Sequence, residues 1–450
     1  MSRSDSAFHP DHLRRRRREV RQALGDRVMV LPSAPVLVRS GDSELPFRQD
    51  SDLLRLTGLE EPGSVLVLGG EVGEVLFVEE RDPAREQWTG IRLGVEGAGE
   101  RTGIDDVRPL RSLDSDLGGL VKSAPVLHVR LGRDPAFDAR ITGLLATARR
   151  RGARTGTGPR AVVDPGEILD ELRLRKGPEE VAAVRRAVDV TMEGFRAALQ
   201  AVRPGAGEWE VEGALTGAFR RAGARGPAFA PIVASGMNAC ILHYVTNDSC
   251  MEDDDLVLID AGAEVEAWAG DLTRTVPVGG RFQGPGADLY DVVEGARAAA
   301  VEAIAPGVPV DRIHRRAVLH LLEGLVELGA LDGEAEELAV EGAHQRWFPH
   351  QTSHWLGLDV HDPGDYASPE SGPRILEPGM ILTVEPGLYV PPPGLFGPES
   401  ETPLPAGFER WAGRGIRIED DVLVTEGGHE VLSAALPSSR IELEALLGQG

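Results

Sequence analysis

The chain has 450 residues, of which 41% are apolar, and its 72 acidic side chains against 48 basic ones give a formal net charge of −24. That length exceeds the usual size of one hydrophobic core and predicts two domains, while the acidic balance excludes a phosphate-backbone binder, which needs clustered Lys and Arg. No apolar stretch reaches the roughly 18 residues of a membrane span and the N-terminus has no apolar signal core. The cysteines, Cys240 and Cys250, fit neither a disulfide framework nor a zinc or redox pair. The expectation is a soluble cytoplasmic enzyme without nucleic-acid or membrane partners.

Taken in chain order, the basic run Arg14–Arg18 has helical surroundings and predicts a solvated helix face without function. VMVLPSAPVLV, SVLVLGG and EVLFVEE predict short strands, and helical spacing follows over residues 137–151, so residues 1–172 read as a small α/β domain. RGARTGTGPRAVVDPGE, residues 151–167, lacks periodicity and reads as a connector. A second domain, residues 173–450, opens on a helix with Pro178 and Glu179 at its start. Helical pattern recurs over residues 209–221, 286–305 and 310–328, and strand pattern at LVLID, TRTVPV, MILTVEP and GIRIEDDVLVT. This predicts an α+β domain with helices packed on one antiparallel sheet. The proline-rich PPPGLFGPESETPLP predicts a surface loop.

Chemistry concentrates in the second domain. In DLVLIDAGAEVEAWAGDLTRTVPV, two apolar strands flank a glycine-containing connection with Asp260 and Asp271 at their ends. A hairpin would bring the two carboxylates together, where they repel unless a cation neutralises them. FPHQTSHWLGLDVHD adds His350, His354 and His361, TVEPGLY adds Glu385, and GIRIEDDVLV adds Glu419 between apolar neighbours on a strand. Asp260, Asp271, His354, Glu385 and Glu419 form an oxygen-dominated set suited to a pair of divalent ions, manganese first, with cobalt or zinc under the same ligands. Strand alternation puts Arg417 on the face of Glu419, where it could orient that carboxylate. HQTSH shares only its histidine spacing with the helical zinc-protease motif, because Gln351 stands where that motif needs its general-base glutamate.

The ordered set DAG…DLTRT, HQTSHWLGLDVHD, LEPGMILTVEPGLY and GIRIEDDVLVT resembles the pita-bread metallopeptidases, and within them the aminopeptidase P family. RSGDSELPFRQDSDLLRLTGLEEPGSVLVL resembles that family's N-terminal domain, so the resemblance covers nearly the whole chain. It implies a pita-bread catalytic domain, helices on a curved antiparallel sheet, preceded by a smaller domain that shapes the substrate cleft and the oligomer. It implies hydrolysis of the bond between an N-terminal residue and a following proline by a water or hydroxide bridging two metals. Asp260 would hold one ion, Asp271 and Glu419 would bridge both, and His354 with Glu385 would complete the second. His243, His350 and His361 would contact substrate and serve the reacting amide, with Arg417 and Tyr389 nearby and Asp42 in the arginine's hydrogen-bond network. Trp88, in REQWTGIRLG, would reach a neighbouring subunit's active site, implying a homo-oligomer, dimer or tetramer. Phe229 departs from the family, which has a tyrosine there. A prolidase cutting Xaa-Pro dipeptides shares these residues and stays open as the alternative; noncatalytic pita-bread binding modules lose ligands that this chain keeps.

Overall fold

The computed structural model describes residues 6–397 and 403–448, so residues 398–402 of the proline-rich loop lie outside the described residues. The chain divides into two units, Met1–Leu172 and Arg173–Gly450. In the first, the strands Val28–Pro32, Ser64–Gly69 and Gly73–Val78 form the antiparallel centre of a six-stranded sheet, and Val107–Pro109, Val126–His128 and Ala161–Val163 extend it in parallel. Successive strand residues point to opposite faces, so Met29, Leu31, Leu66, Leu68 and Leu76 enter one core while Val28, Val30, Val65, Val67 and Phe77 enter another. Helices close both cores, through Val20, Leu24, Leu53 and Leu56 on one side and Leu113, Leu117, Phe137 and Ile141 on the other.

Two expectations for this unit are corrected. The basic run is a solvated face only in part: on the helix Pro10–Leu24, Arg14 and Arg18 are exposed, but Arg16 and Arg17 are 0% exposed. Arg17 donates to Leu56 O at 2.8 Å and Thr102 O at 3.1 Å, and Arg16 to Arg55 O at 3.2 Å. Those carbonyls end the helices Ser51–Thr57 and Gly94–Thr102, where backbone acceptors lack helical partners and cations are favoured. Glu74 balances the charge at 2.8 Å from Arg17. The stretch read as a connector is also structured: the preceding helix runs Pro135–Thr155, and Ala161–Val163 is an edge strand beside Val126–His128.

In the second unit the helix Pro178–Ala201 starts as expected, with Pro178 in its first turn and the Glu180 carboxylate accepting from Gly177 N–H at 2.9 Å. Glu208–Arg221 packs on it, and Gly284–Glu302 packs on Asp311–Glu327. The strands pair antiparallel throughout but form several short ladders: Leu256–Ala261 between Ile232–Ser235 and Leu272–Pro277, Asp420–Thr425 between Ile381–Val384 and Gly428–Val431, and Gly387–Val390 beside Arg414–Arg417. A bridge between Thr273 and Glu419 joins the first ladder to the C-terminal strands.

Candidate metal centre

The hairpin expected around Asp260 and Asp271 forms. Asp260 pairs with Thr273, and partners across a ladder share a face. Asp271, two residues before Thr273, points the same way. Close approach at the hairpin's end requires glycine: a Cβ on Gly262 would lie 1.6 Å from Gly270 O, and one on Gly270 would meet Thr191 Oγ1 at 2.7 Å. Glu419 arrives on the short link between the strands Arg414–Arg417 and Asp420–Thr425, its N–H donating to Thr273 O at 3.0 Å. His354 and Glu385 come as neighbours because Thr383 N–H donates to His354 O at 2.9 Å and Glu385 N–H to Thr352 O at 2.8 Å.

The resulting cavity, about 480 Å³, is lined by Asp260, Asp271, His354, Glu385 and Glu419, with His243, His350, His361 and Arg417 around them. Ligand atoms of Asp271, His354 and Glu419 lie within 4.8 Å of one another. His354 Nε2 is 3.4 Å from Asp271 Oδ2 and 3.7 Å from Glu385 Oε1. Phe229, Ile232, Leu242, Val245 and Val360 supply apolar wall.

This arrangement fits cations. His354 Nδ1 sits 3.1 Å from Trp355 O, an acceptor only, so Nδ1 carries a hydrogen, and the ring in its neutral form turns the Nε2 lone pair toward the carboxylates. Acceptor facing acceptor is repulsive unless a cation lies between, and a histidine fixed by a backbone carbonyl is the usual form of a metal ligand. Asp260 Oδ1 and Asp271 Oδ1 are buried without hydrogen-bond partners. Burial, then Asp260, drives Asp271 well above the ordinary carboxylate range; burial, then Asp271 and Glu385, does the same to Glu419. Burial lifts Glu385 to about 7. The ordinary remedy for such crowding is positive charge at its centre.

Arg417 corrects one expectation. Its Nη2 donates to Asp260 at 2.6 Å and its Nη1 to Tyr389 Oη at 2.8 Å, while Glu419 instead accepts from Thr273 Oγ1 at 2.7 Å. The strand breaks after Arg417, ending the alternation that would have paired it with Glu419. A further contact of Arg417 is with Leu242 O at 3.4 Å; on the first unit, Asp42 is exposed between the strands Val38–Ser40 and Ser43–Glu44. Tyr389 relays the arginine to His350 at 2.8 Å. Because His350 Nδ1 faces Gln351 O at 2.8 Å, Nε2 is the acceptor and Tyr389 the donor. Burial, then Arg417, pushes His350 down to about 3, and burial with His354 lowers His361. Both rings are neutral at pH 7. Trp88, on the helix Pro83–Thr89, is 86% exposed.

Two residues of the centre were not singled out from sequence. Asp421 Oδ2 accepts from Asp271 N–H at 3.0 Å, and burial, then Asp271, raises its carboxyl well above the ordinary range. Arg274, 0% exposed, donates to Thr273 O at 2.9 Å and Glu419 O at 2.7 Å, clamping both strands from behind, and meets Asp420 at 2.8 Å. The words TRT and EDD held the signal: alternation sends Thr273, Glu419 and Asp421 to one face and Arg274 and Asp420 to the other.

The chain belongs to metallopeptidase family M24 and is a metal-dependent hydrolase with the pita-bread fold: the family's model matches residues 182–426. A model of the aminopeptidase P N-terminal domain matches residues 12–129. The chain is 40% identical over 438 residues to the Xaa-Pro aminopeptidase of Escherichia coli, covering 96% of each. Among solved structures it is similar to Pseudomonas aeruginosa aminopeptidase PepP, with TM-score 0.91, 40% identity and 98% of each chain covered. It is likewise similar to Zn-substituted Escherichia coli aminopeptidase P in complex with product, with TM-score 0.90, 40% identity and 98% of each chain covered.

Proposed function

We propose that this chain is an Xaa-Pro aminopeptidase that uses two divalent cations held by Asp260, Asp271, His354, Glu385 and Glu419. The carrying observation is the buried cluster in which His354 Nε2 faces Asp271 and Glu385 at 3.4 and 3.7 Å while Asp260 and Asp271 each keep an unpartnered buried oxygen. The oxygen-rich donor set favours manganese, with cobalt and zinc accepted by the same ligands. When bound, the cations supply Lewis acidity and lower the pKa of water, giving a nucleophile at neutral pH.

The chain's own groups do the rest. Arg417 fixes the Asp260 carboxylate and, through Tyr389, the His350 ring. His350, neutral and packed against Phe348 with ring centroids 4.7 Å apart, lines the cavity. His243 and His361 line the same cavity, where their N–H groups would stabilise the developing oxyanion and pass the attacking water's proton to the departing proline nitrogen. Phe229 leaves this wall without the hydroxyl of a tyrosine.

The reading extends to a homo-oligomer, dimer or tetramer, in which Trp88 reaches a second copy's substrate; Trp88 at 86% and Ile91 at 79% exposure are large apolar groups that such a copy would cover. It extends also to the cytoplasm, which suits free Cys240 and Cys250; no helix among the described residues is long and apolar enough to cross a membrane. The test is cleavage of matched Xaa-Pro dipeptides, tripeptides and longer peptides by metal-free protein given manganese, cobalt or zinc. Release of the first residue from tripeptides is expected. Cleavage confined to dipeptides would make the chain a prolidase, and no cleavage with any metal would sink both.

A further inference from the structure

His243 sits on a stretch with no helix or strand of its own, between the short turn Gly236–Cys240 and the strand Leu256–Ala261. A group that must hold a nitrogen against a reacting amide needs rigid support, and here the support comes from Glu208, first residue of the helix Glu208–Arg221. Glu208 is 0% exposed. Its Oε1 accepts from Ser235 N–H at 2.7 Å, Ser235 Oγ at 2.7 Å and Asn238 Nδ2 at 3.1 Å. Its Oε2 accepts from Ser249 N–H at 2.9 Å and lies 2.9 Å from Tyr244 Oη, whose one hydrogen it shares with Asp248 Oδ1 at 3.0 Å. The Glu208 N–H returns a bond to Ser249 O at 2.9 Å.

These partners surround His243 in sequence. Ser235 ends the strand that pairs with Leu256–Ala261, where Ile232 lies opposite Asp260; Tyr244 follows His243 directly. Asn247, with φ 49°, adds a second staple through Val233 N–H at 2.9 Å, Pro231 O at 2.9 Å and Glu212 at 3.0 Å. Among the described residues no cation pairs with Glu208. Its two oxygens are held by neutral donors at the start of the helix. Such a fixture is stiff, because moving the segment would strand a buried carboxylate oxygen. Glutamine cannot replace it: one end of the amide would turn N–H groups toward donors.

We propose that Glu208 is a positioning residue that sets His243 for the reaction, an inference that rests on the peptidase reading above. Glu208→Gln is expected to lower kcat/KM on an Xaa-Pro tripeptide by roughly 100-fold, the scale of an ångström of misplacement, with metal content unchanged. Tyr244→Phe, which removes a single partner, is expected to lower it by about 5-fold. The deciding measurement repeats both substitutions in a His243→Ala background, where each is expected to cost less than about twofold because the group they position is gone. Full additive losses in that background, or metal lost in step with activity, overturn the proposal. If Glu208→Gln does not fold, the Tyr244→Phe pair decides alone. A wild-type protein that cleaves no Xaa-Pro peptide, or a His243→Ala variant as active as wild type, overturns the underlying reading instead.

Discussion

Thr273 is bound to Glu419 twice: its hydroxyl donates to Glu419 Oε2 at 2.7 Å, and its carbonyl accepts the Glu419 N–H at 3.0 Å. The hairpin carrying Asp260 and Asp271 and the segment carrying Glu419 are thereby locked in register, and one Glu419 oxygen is aimed while the other is left for a cation. Thr273→Val keeps the shape and the backbone bond but removes the hydroxyl. We expect metal affinity to weaken by about 10- to 100-fold, the usual effect of removing a partner behind a ligand. Competition with a chelator of known affinity measures this, and unchanged affinity would show that the hydroxyl does not orient the carboxylate.

The metal-free protein should lose stability as pH rises. Burial and then neighbouring carboxylates raise Asp271 and Glu419, and burial brings Glu385 from 4.5 to about 7. An acid whose folded pKa is raised holds more protons folded than unfolded, so its contribution favours folding at low pH and fades as pH climbs between the two values. For Glu385 that window runs from 4.5 to about 7. Calorimetry with and without chelator should show the melting temperature of the metal-free protein falling across it. Saturating manganese should remove most of the slope, and Glu385→Gln should make it shallower without metal. A Glu385→Gln profile matching that of the parent would contradict the assignment.

His361 lies against His354, ring centroids 4.4 Å apart at 72°, yet its proposed duty is toward substrate. His361→Ala is expected to reduce turnover by about 10²- to 10⁴-fold while elemental analysis finds metal content within about twofold of the parent. Equal loss of both would make the ring a support for the metal ligand.

Trp88 offers an 86% exposed indole on the first unit. If a second copy's substrate is its partner, Trp88→Ala should raise KM and leave metal content and melting temperature unaltered. Kinetics indistinguishable from the parent would remove the cross-subunit role.

Much of the site's placement was legible because it lies in short words with strong local grammar. DAG and AGD around a hairpin, HQTSH, TVEP and RIED each put an acid or imidazole beside a strand, and those residues line one cavity. What escaped depends on partners distant in sequence. Arg16 and Arg17 look solvated by charge alone, and only the helix ends at Arg55, Leu56 and Thr102 make their burial favourable. Arg417 was aligned with Glu419 by alternation, but the strand's break redirected it to Asp260, 157 positions away. Ala161–Val163 is too short for periodicity to reveal and exists as a strand because Val126–His128 offers an edge.

The contact of Gly262 with Gly270, where an added Cβ would fall 1.6 Å from a carbonyl oxygen, makes hydrogen a working part of the centre. A variant bearing alanine at either position would retain every acid and every imidazole and still pry the two aspartates apart. Surveys of inactivating changes in this chain should therefore find hits at places with no functional group at all, where the damage is done by a single methyl.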